Sequence, residues 1–184
     1  MAIYTRGGDR GETGLPGGRR VAKDAAVLEA SGAVEELNAL LGVVRAESLG
    51  GEVDRLLERL QHDLLRLSAE TAGADPSVRP YRQISPSDVR FLEETIDRCD
   101  RELPPVREFI LPTGNGAGAG LHLALGVCRR AERRLVSLLR ADEPGISCNL
   151  TAYLNRLGDL LFVLARTVNR QAGCGEVPWR KDEA

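Results

Sequence analysis

Apolar residues recur every three or four positions over five long stretches of the chain, with polar residues between them. This spacing places the apolar side chains along one face of an α-helix. The five stripes are Val27, Ala30, Val34, Leu37, Leu41 and Val44; Val53, Leu57, Leu60, Leu64, Leu67 and Thr71; Val89, Leu92, Ile96, Cys99 and Leu103; Leu121, Ala124, Cys128, Ala131, Leu135 and Leu138; and Leu150, Leu154, Leu157, Leu161, Leu164 and Val168. The pattern therefore predicts five helices.

Alternation with a period of two is not evident anywhere in the chain, so we do not expect a sheet. Long stripes with three-four spacing are typical of near-antiparallel helices that pack at shallow angles. Asp24 is a candidate cap for the first helix, and Ser85 with Asp88 and Pro86 gives a start signal for the third. We predict an all-α, five-helix bundle.

A glycine-rich stretch, TRGGDRGETGLPGGRRVAKD, occupies residues 5–24 and holds six glycines, four arginines and one lysine. Ordering so many glycines costs backbone entropy, which an anion bound by backbone N–H groups and nearby cations would offset. The other interpretation is a flexible N-terminal tail. The stretch matches neither G-x-x-x-x-G-K-[ST] nor G-x-G-x-x-G, so neither of those nucleotide folds is indicated.

The overall composition limits the possible functions. With 184 residues the chain is long enough for one domain, and its net charge of −2 does not indicate general nucleic-acid binding. It has no run of about 18 apolar residues and no secretory signal pattern, so we expect no membrane span. Its four cysteines are widely spaced without a C-x-x-C pair, which favours reduced thiols in a cytoplasm over a zinc cage or disulfides.

The fourth predicted helix carries a dense cluster of charge. Four arginines surround one acid within VCRRAERR: Arg129, Arg130, Arg133 and Arg134, with Glu132 between them. Arg129, Glu132 and Arg133 share one helical face, and a single carboxylate cannot neutralise both cations. Either an anion such as a phosphate binds there, or acids on neighbouring helices complete a salt-bridged surface. His122, about two turns earlier, is either catalytic or structural.

The fifth predicted helix carries polar residues within YLNRLGDLLFVLAR. Asn155 and Asp159 lie one turn apart, with Arg156 beside them. The Asn155 amide could hydrogen-bond a ligand or satisfy a neighbouring helix in the core. The residues alone leave both roles open.

Taken in order, several segments resemble the PduO-type ATP:cob(I)alamin adenosyltransferase family. They are IYTRGGDRGETGL, GGRRVAKD, EELNALLG, LPPVREFILP, LH, VCRRAERR and YLNRLGDLLFVLAR, and they extend from Ile3 to Arg166. The resemblance implies a single domain with an ATP-binding segment (1–23), a helical bundle (24–172) and a C-terminal tail (173–184). It further implies a homotrimer that binds ATP between subunits and acts on a reduced corrinoid, cob(I)alamin. The cysteine spacing, net charge and apolar runs described above predict a cytoplasmic protein with no nucleic-acid or membrane partner.

The resemblance also implies particular ATP contacts. In the N-terminal segment they are Thr5, Arg6, Gly7, Gly8, Thr13, Gly14 and Lys23; in the later helices they are Arg129, Arg130, Glu132, Arg133 and Asn155. Arg129, Lys23 and Glu132 are the implied catalytic residues. Departure of the triphosphate builds up negative charge, which the donors Arg129 and Lys23 would stabilise. Mg²⁺ is expected on the ATP phosphates, with no protein ligand assigned to it.

The implied corrinoid site includes Phe109, whose ring would belong to an apolar wall that displaces the lower axial ligand of the cobalt. Two residues depart from the family pattern: Glu35 replaces an aspartate, and Leu125 replaces an arginine with which that aspartate pairs across the subunit interface. A smaller departure is Thr113, where the family has glycine.

These departures leave a second hypothesis, a paralogue that binds ATP or adenosylcobalamin with weak or no transferase activity. A third is a purely structural bundle. The enzyme hypothesis implies two protein partners, a corrinoid reductase and a cobalamin-dependent acceptor enzyme.

Overall fold

The computed structural model describes residues 3–4, 6–47, 49–75, 77, 81–141 and 146–180. Thr5, a predicted ATP contact, lies outside these residues. Within them the chain forms a short hairpin, β1 (Glu12–Gly14) and β2 (Arg20–Ala22), and five helices: α1 (Ala26–Arg45), α2 (Gly51–Thr71), α3 (Pro86–Asp100), α4 (Gly116–Arg140) and α5 (Cys148–Gln171). The predicted five-helix bundle is confirmed. The expectation of no sheet is wrong, because β1 and β2 form one small antiparallel sheet whose strands are too short to show an alternation in the sequence.

The core lies where the five apolar stripes meet. Helix α4 packs against both α1 and α5, while α2 covers α1 and α3 covers α5. Every predicted stripe residue of α1, α2, α4 and α5 is buried. In the α3 stripe only Leu92 is fully buried, and Val89, Ile96 and Cys99 are half-buried. This difference follows from the position of α3 at the edge of the bundle.

The helix-start signals have mixed outcomes. Ser85 and Asp88 form the predicted capping box, in which the Ser85 backbone N–H donates to the Asp88 carboxylate over 2.9 Å. The prediction that Asp24 caps α1 is wrong, because the N-cap is Ala25 and it makes no side-chain cap bond. A turn closed by the Ala25 N–H and the Ala22 carbonyl, 3.0 Å apart, delays the helix by one residue.

The glycine-rich stretch forms the β1–β2 hairpin, in which Thr13 pairs with Val21. Gly17 and Gly18 make its turn at φ values of 82° and 86°, where a side chain would be strained. Leu15 is buried in the core cluster and anchors the hairpin to the bundle. Residues 6–24 are therefore an ordered element rather than a tail.

A buried polar network joins α2, α3 and α5. The Tyr153 hydroxyl donates to the Asp63 carboxylate over 2.9 Å, and the Arg66 guanidinium bonds Asp63 while lying 3.5 Å from Asp88. Arg82 adds two bonds to Asp88, at 2.5 and 2.9 Å. Burial opposes ionisation of Asp88, but its bonds to Arg82 and Ser85 and the charge of Arg66 outweigh burial and hold its pKa well below the usual range.

We expect Asp88→Asn to lower the free energy of unfolding at neutral pH by about 3 kcal/mol, because it removes one partner of a buried ion pair. A native carboxyl with a depressed pKa stabilises the fold above its ordinary pKa of about 4, and this contribution is lost as the pH falls below that value. The difference between variant and parent should therefore shrink on acidification. Urea unfolding at several pH values measures it. The exposed acid of Asp97→Asn, on the same helix, is the control, and equal losses in both variants would contradict the assignment.

Candidate active site

A cavity of about 770 Å³ opens between the loop that precedes α4 and the facing sides of α4 and α5. Its size is within the range of small-molecule sites. Its walls include Pro105, Val106, Phe109, Ile110 and Pro112 from the loop, His122, Leu125 and Arg129 from α4, and Asp159, Phe162, Val163 and Arg166 from α5. Most of these side chains are apolar. The charged ones come from α4 and α5, and the cavity is also lined by two further acids, Asp100 of α3 and Glu108 of the loop.

Three residues predicted from the sequence meet in this cavity: Phe109, Leu125 and Arg129. The Phe109 side chain is 80% exposed, so its ring contributes little to the core and is available to a ligand. Leu125 is half-buried between α4 and α5, and its Cδ1 lies 3.6 Å from where a Cβ on Gly158 would be. The cavity thus has an apolar wall with an arginine beside it.

The arginine cluster divides into two pairs. Arg130 forms an ion pair with Glu36, and Arg134 lies 3.3 Å from Glu29, both acids being on α1. Among the described residues, Arg129 and Arg133 have no ion pair. The salt-bridge interpretation is therefore confirmed for Arg130 and Arg134, which join α4 to α1. Anion binding by Arg129 and Arg133 stays a prediction.

Glu132 and Asn155 are brought together by the packing of α4 on α5. The Asn155 amide donates to the Glu132 carboxylate over 3.1 Å, and the Arg156 guanidinium donates to the Asn155 amide oxygen over 2.7 Å. Arg156 is held in turn by Glu93 at 2.9 Å. Asn155 is exposed, so it does not serve the core, and this chain of bonds orients both predicted ATP contacts on the surface beside Arg129.

The hairpin brings several other predicted ATP contacts together. Lys23 follows β2, its backbone N–H donates to the Gly11 carbonyl over 2.8 Å, and its Nζ lies 3.2 Å from where a Cβ on Gly8 would be. Arg20 donates to the Gly7 carbonyl over 2.8 Å. Arg6 has a left-handed backbone, with φ at 59°. Gly7, Gly8 and Lys23 therefore form one cationic, amide-rich surface, with Thr13 and Gly14 on the adjoining strand.

Two groups of predicted site residues do not meet within one chain. No residue of the hairpin is among those that line the cavity described above. Glu35 lies exposed on the α2 side of α1, where its carboxylate accepts from the Ser68 hydroxyl over 3.4 Å. It is therefore separated from Leu125, which faces α5. Whether Glu35 and Leu125 approach each other across subunits stays a prediction.

The structure adds cavity residues that the sequence reasoning missed or left open. The His122 ring lies edge-on to Phe162 with 6.2 Å between centroids. Burial lowers the pKa of His122, although the charge of Glu176 acts in the opposite direction. Arg166 is 2% exposed and lies beside the cavity. The sequence signal for Arg166 is an arginine directly after six consecutive apolar residues.

Comparison with known proteins identifies the family. The family profile described as "Cobalamin adenosyltransferase" matches residues 3–168. The chain is 39% identical over 185 residues to a corrinoid adenosyltransferase of Bacillus subtilis, covering 98% of this chain and 93% of that one. It is 40% identical over 181 residues to a cobalamin adenosyltransferase of Cupriavidus metallidurans, with coverage of 98% and 95%.

A solved structure is similar throughout its length. It is a phenylalanine-to-alanine variant of the PduO-type ATP:corrinoid adenosyltransferase from Lactobacillus reuteri complexed with cobalamin and ATP. The TM-score is 0.88 at 31% identity, and the match covers 98% of this chain and 100% of that chain. The chain described here belongs to the cobalamin adenosyltransferase family.

The particular enzyme class follows from this membership. The chain is a transferase of the ATP:corrinoid adenosyltransferase type, as the resemblance implied. The paralogue without activity and the purely structural bundle are not favoured. Within the described residues, no helix has the length and apolarity needed to cross a membrane.

Proposed function

We propose that this chain transfers the 5′-deoxyadenosyl group of ATP to the cobalt of a reduced corrinoid bound in the 770 Å³ cavity. The observation that supports this most is the cavity itself, which has the exposed Phe109 ring in its wall and Arg129, without an ion pair among the described residues, beside it. A cobalt–carbon bond forms, the C5′–O bond breaks, and its electron pair leaves with the triphosphate.

The leaving triphosphate is proposed to bind where the cations converge. Arg129 and Arg133 can donate paired N–H groups to phosphate oxygens, because a guanidinium matches them bidentately. Lys23 and the amides around Gly8 supply further donors from the hairpin. These groups stabilise charge that grows in the transition state. Mg²⁺, to which no protein ligand is assigned, would enter with the nucleotide and would help to neutralise the charge of the leaving triphosphate. The reaction needs no general base, because the Co(I) centre is itself the nucleophile.

The proposed active site lies between subunits of a homotrimer. No hairpin residue lines the cavity within one chain, which supports this arrangement, because the hairpin of a second subunit would then supply the cations opposite the arginines of α4. The proposal keeps the division into an ATP-binding segment (1–23), a bundle (24–172) and a tail (173–184). It includes a reductase and an acceptor enzyme as partners in a reducing cytoplasm, which suits four free cysteine thiols.

The two departures from the family pattern are compatible with activity. Leu125 extends the apolar wall of the cavity, and such a wall excludes water from the cobalt. Loss of the arginine does not strand a buried carboxylate, because Glu35 is exposed and accepts a hydrogen bond from Ser68. We propose that Phe109 takes the place of the lower axial ligand against this wall.

The proposed function is tested by incubating the protein with ATP, Mg²⁺ and chemically reduced cobalamin. We expect the absorbance change of cobalt–carbon bond formation, with one triphosphate released for each adenosylcobalamin formed. Reactions with ADP, which lacks the triphosphate leaving group, should release no triphosphate. Nucleotide binding without adenosylcobalamin would contradict the proposal and revive the paralogue hypothesis.

A further inference from the structure

The loop that carries Phe109, residues 104–115, is fastened at both ends by buried polar side chains of α5. At its start, the Arg166 guanidinium donates to the Pro104 carbonyl over 2.6 Å. At its end, the Asn169 amide donates to the Thr113 carbonyl over 2.8 Å and accepts from the Asn115 N–H over 3.1 Å. The two α5 residues lie one helical turn apart, so both ends of the loop are held in place by the same helix.

The segment after α5 returns to hold the middle of this loop. The Leu111 N–H donates to the Val177 carbonyl over 2.8 Å, and the Trp179 N–H donates to the Phe109 carbonyl over 2.7 Å. The rings of Phe109 and Trp179 meet edge-to-face, with 6.3 Å between centroids and 75° between planes. Residues 176–179 therefore form a strap along the part of the loop that carries the Phe109 ring.

Arg166 joins the strap to the loop. Its Nε donates to the Glu176 carboxylate over 2.6 Å, while its Nη2 holds the Pro104 carbonyl and its Nη1 lies 3.5 Å from the Asp100 carboxylate. Burying a guanidinium destabilises the fold unless its charge and its N–H groups have partners. Here the Arg166 side chain has partners on three separate segments of the chain. The arrangement fixes the strap at Glu176 and the loop at Pro104 with respect to α5.

The Phe109 ring needs such support because burial does not hold it. It is 80% exposed, whereas a core ring is held by contacts on all sides. Edge-to-face contact with Trp179 and pairing with the strap are the interactions that set its direction into the cavity. The proposed reaction requires that direction, since the ring must stand where the lower axial ligand of the corrinoid would otherwise sit.

We propose that Glu176 and Trp179, anchored by Arg166, are positioning residues that aim the Phe109 ring at the bound corrinoid. This inference rests on the proposed function and adds to it a second layer behind the corrinoid wall. The strap is bonded to the loop that carries Phe109, whereas the ATP contacts proposed above lie on α4, α5 and the hairpin. Loosening the strap should therefore affect corrinoid handling and leave ATP binding unchanged.

The test uses the full chain with Trp179→Ala and Glu176→Ala. Trp179 is exposed, so its truncation should leave the fold intact. Glu176→Ala also removes a partner of the buried Arg166, so its thermal unfolding is measured beside its kinetics and Trp179→Ala is the deciding variant. Trp179→Phe keeps an aromatic ring for the edge-to-face contact, and Glu176→Gln keeps an acceptor for Arg166. Both variants should retain most of the parent activity. Leu65→Ala, an exposed apolar truncation outside the cavity, is the control.

Two readouts separate positioning from general structure. For the alanine variants we expect kcat/KM for cob(I)alamin to fall about 10-fold, because each variant loses one interaction that holds the loop or its ring. The KM for ATP should stay unchanged. We also expect the absorbance spectrum of bound Co(II) corrinoid, recorded with ATP present, to show a smaller fraction without its lower axial ligand.

An unchanged spectrum and unchanged corrinoid kinetics in Trp179→Ala would overturn the inference while leaving the proposed function intact. An equal rise in both KM values, or a loss of thermal stability that accounts for the defect, would also overturn it. The Co(II) spectrum needs no turnover, so it tests the role of the strap even if the parent protein fails to transfer the adenosyl group.

Discussion

Replacing Arg129 by alanine is expected to lower the rate of adenosyl transfer by about 10²–10³-fold, the loss seen when one preorganised donor to a developing anion is removed. Arg129 adjoins the cavity and, among the described residues, forms no ion pair that its removal would break. Its side chain is exposed, so the fold should keep its stability. Turnover with cob(I)alamin and ATP, together with a thermal unfolding curve, measures both effects.

Arg134→Ala is the matched control for this variant. It removes the same side chain five positions further along α4, where the guanidinium forms an exposed ion pair with Glu29. Such surface pairs contribute about 0–1 kcal/mol, so stability and turnover should both stay near those of the parent. Arg129→Lys keeps the positive charge but loses the bidentate donor of the guanidinium. Its turnover should therefore lie between those of Arg129→Ala and Arg134→Ala. Equal losses in Arg129→Ala and Arg134→Ala would mean that net charge, rather than Arg129 itself, matters.

The helices could be predicted because their signal is local. A stripe with three-four spacing defines a helix and its buried face without reference to the rest of the chain. The packing order of the helices is not local, which is why the partial exposure of the α3 stripe was not predicted. The register of a start signal also depends on the preceding turn, and this dependence made the Asp24 prediction wrong by one residue.

The hairpin could not be predicted from periodicity. Each strand has only three residues, too few to display an alternation. What orders the segment is one apolar residue, Leu15, buried against the bundle, together with glycines that permit the turn. The segment is ordered, which the tail interpretation did not predict, and neither interpretation indicated the strands. Phosphate binding by this segment stays a prediction.

The site was predictable in its residue types and less so in its pairings. Helical geometry places Arg129 and Arg133 on one face, but only the packing of α1 on α4 determines that Arg130 and Arg134 are neutralised by distant acids. Arg166 was missed for the same reason, because its partners lie on other segments of the chain. Polar residues that act through long-range contacts leave little trace in a local pattern.

Replacing Lys23 by alanine is expected to lower kcat/KM for ATP by about 100-fold, again the scale of one lost donor to the leaving triphosphate. The Lys23 backbone is tied to Gly11, and its ammonium lies over Gly8, so the cation is held above a run of amides that suits an anion. Removal of the side chain leaves the hairpin bonds in place. The loss should therefore appear in ATP kinetics, with hairpin and assembly retained.

Arg10→Ala is the control for Lys23→Ala, because it removes an exposed cation from the same segment that has no predicted role in ATP binding. If long-range attraction of ATP were the whole effect, both variants would lose activity alike, and the loss would shrink as salt screens exposed charges. A direct contact with the triphosphate predicts a loss confined to Lys23→Ala that persists at high ionic strength. Parent-like ATP kinetics in Lys23→Ala would remove the hairpin cation from the proposed mechanism and leave the triphosphate to the α4 arginines alone.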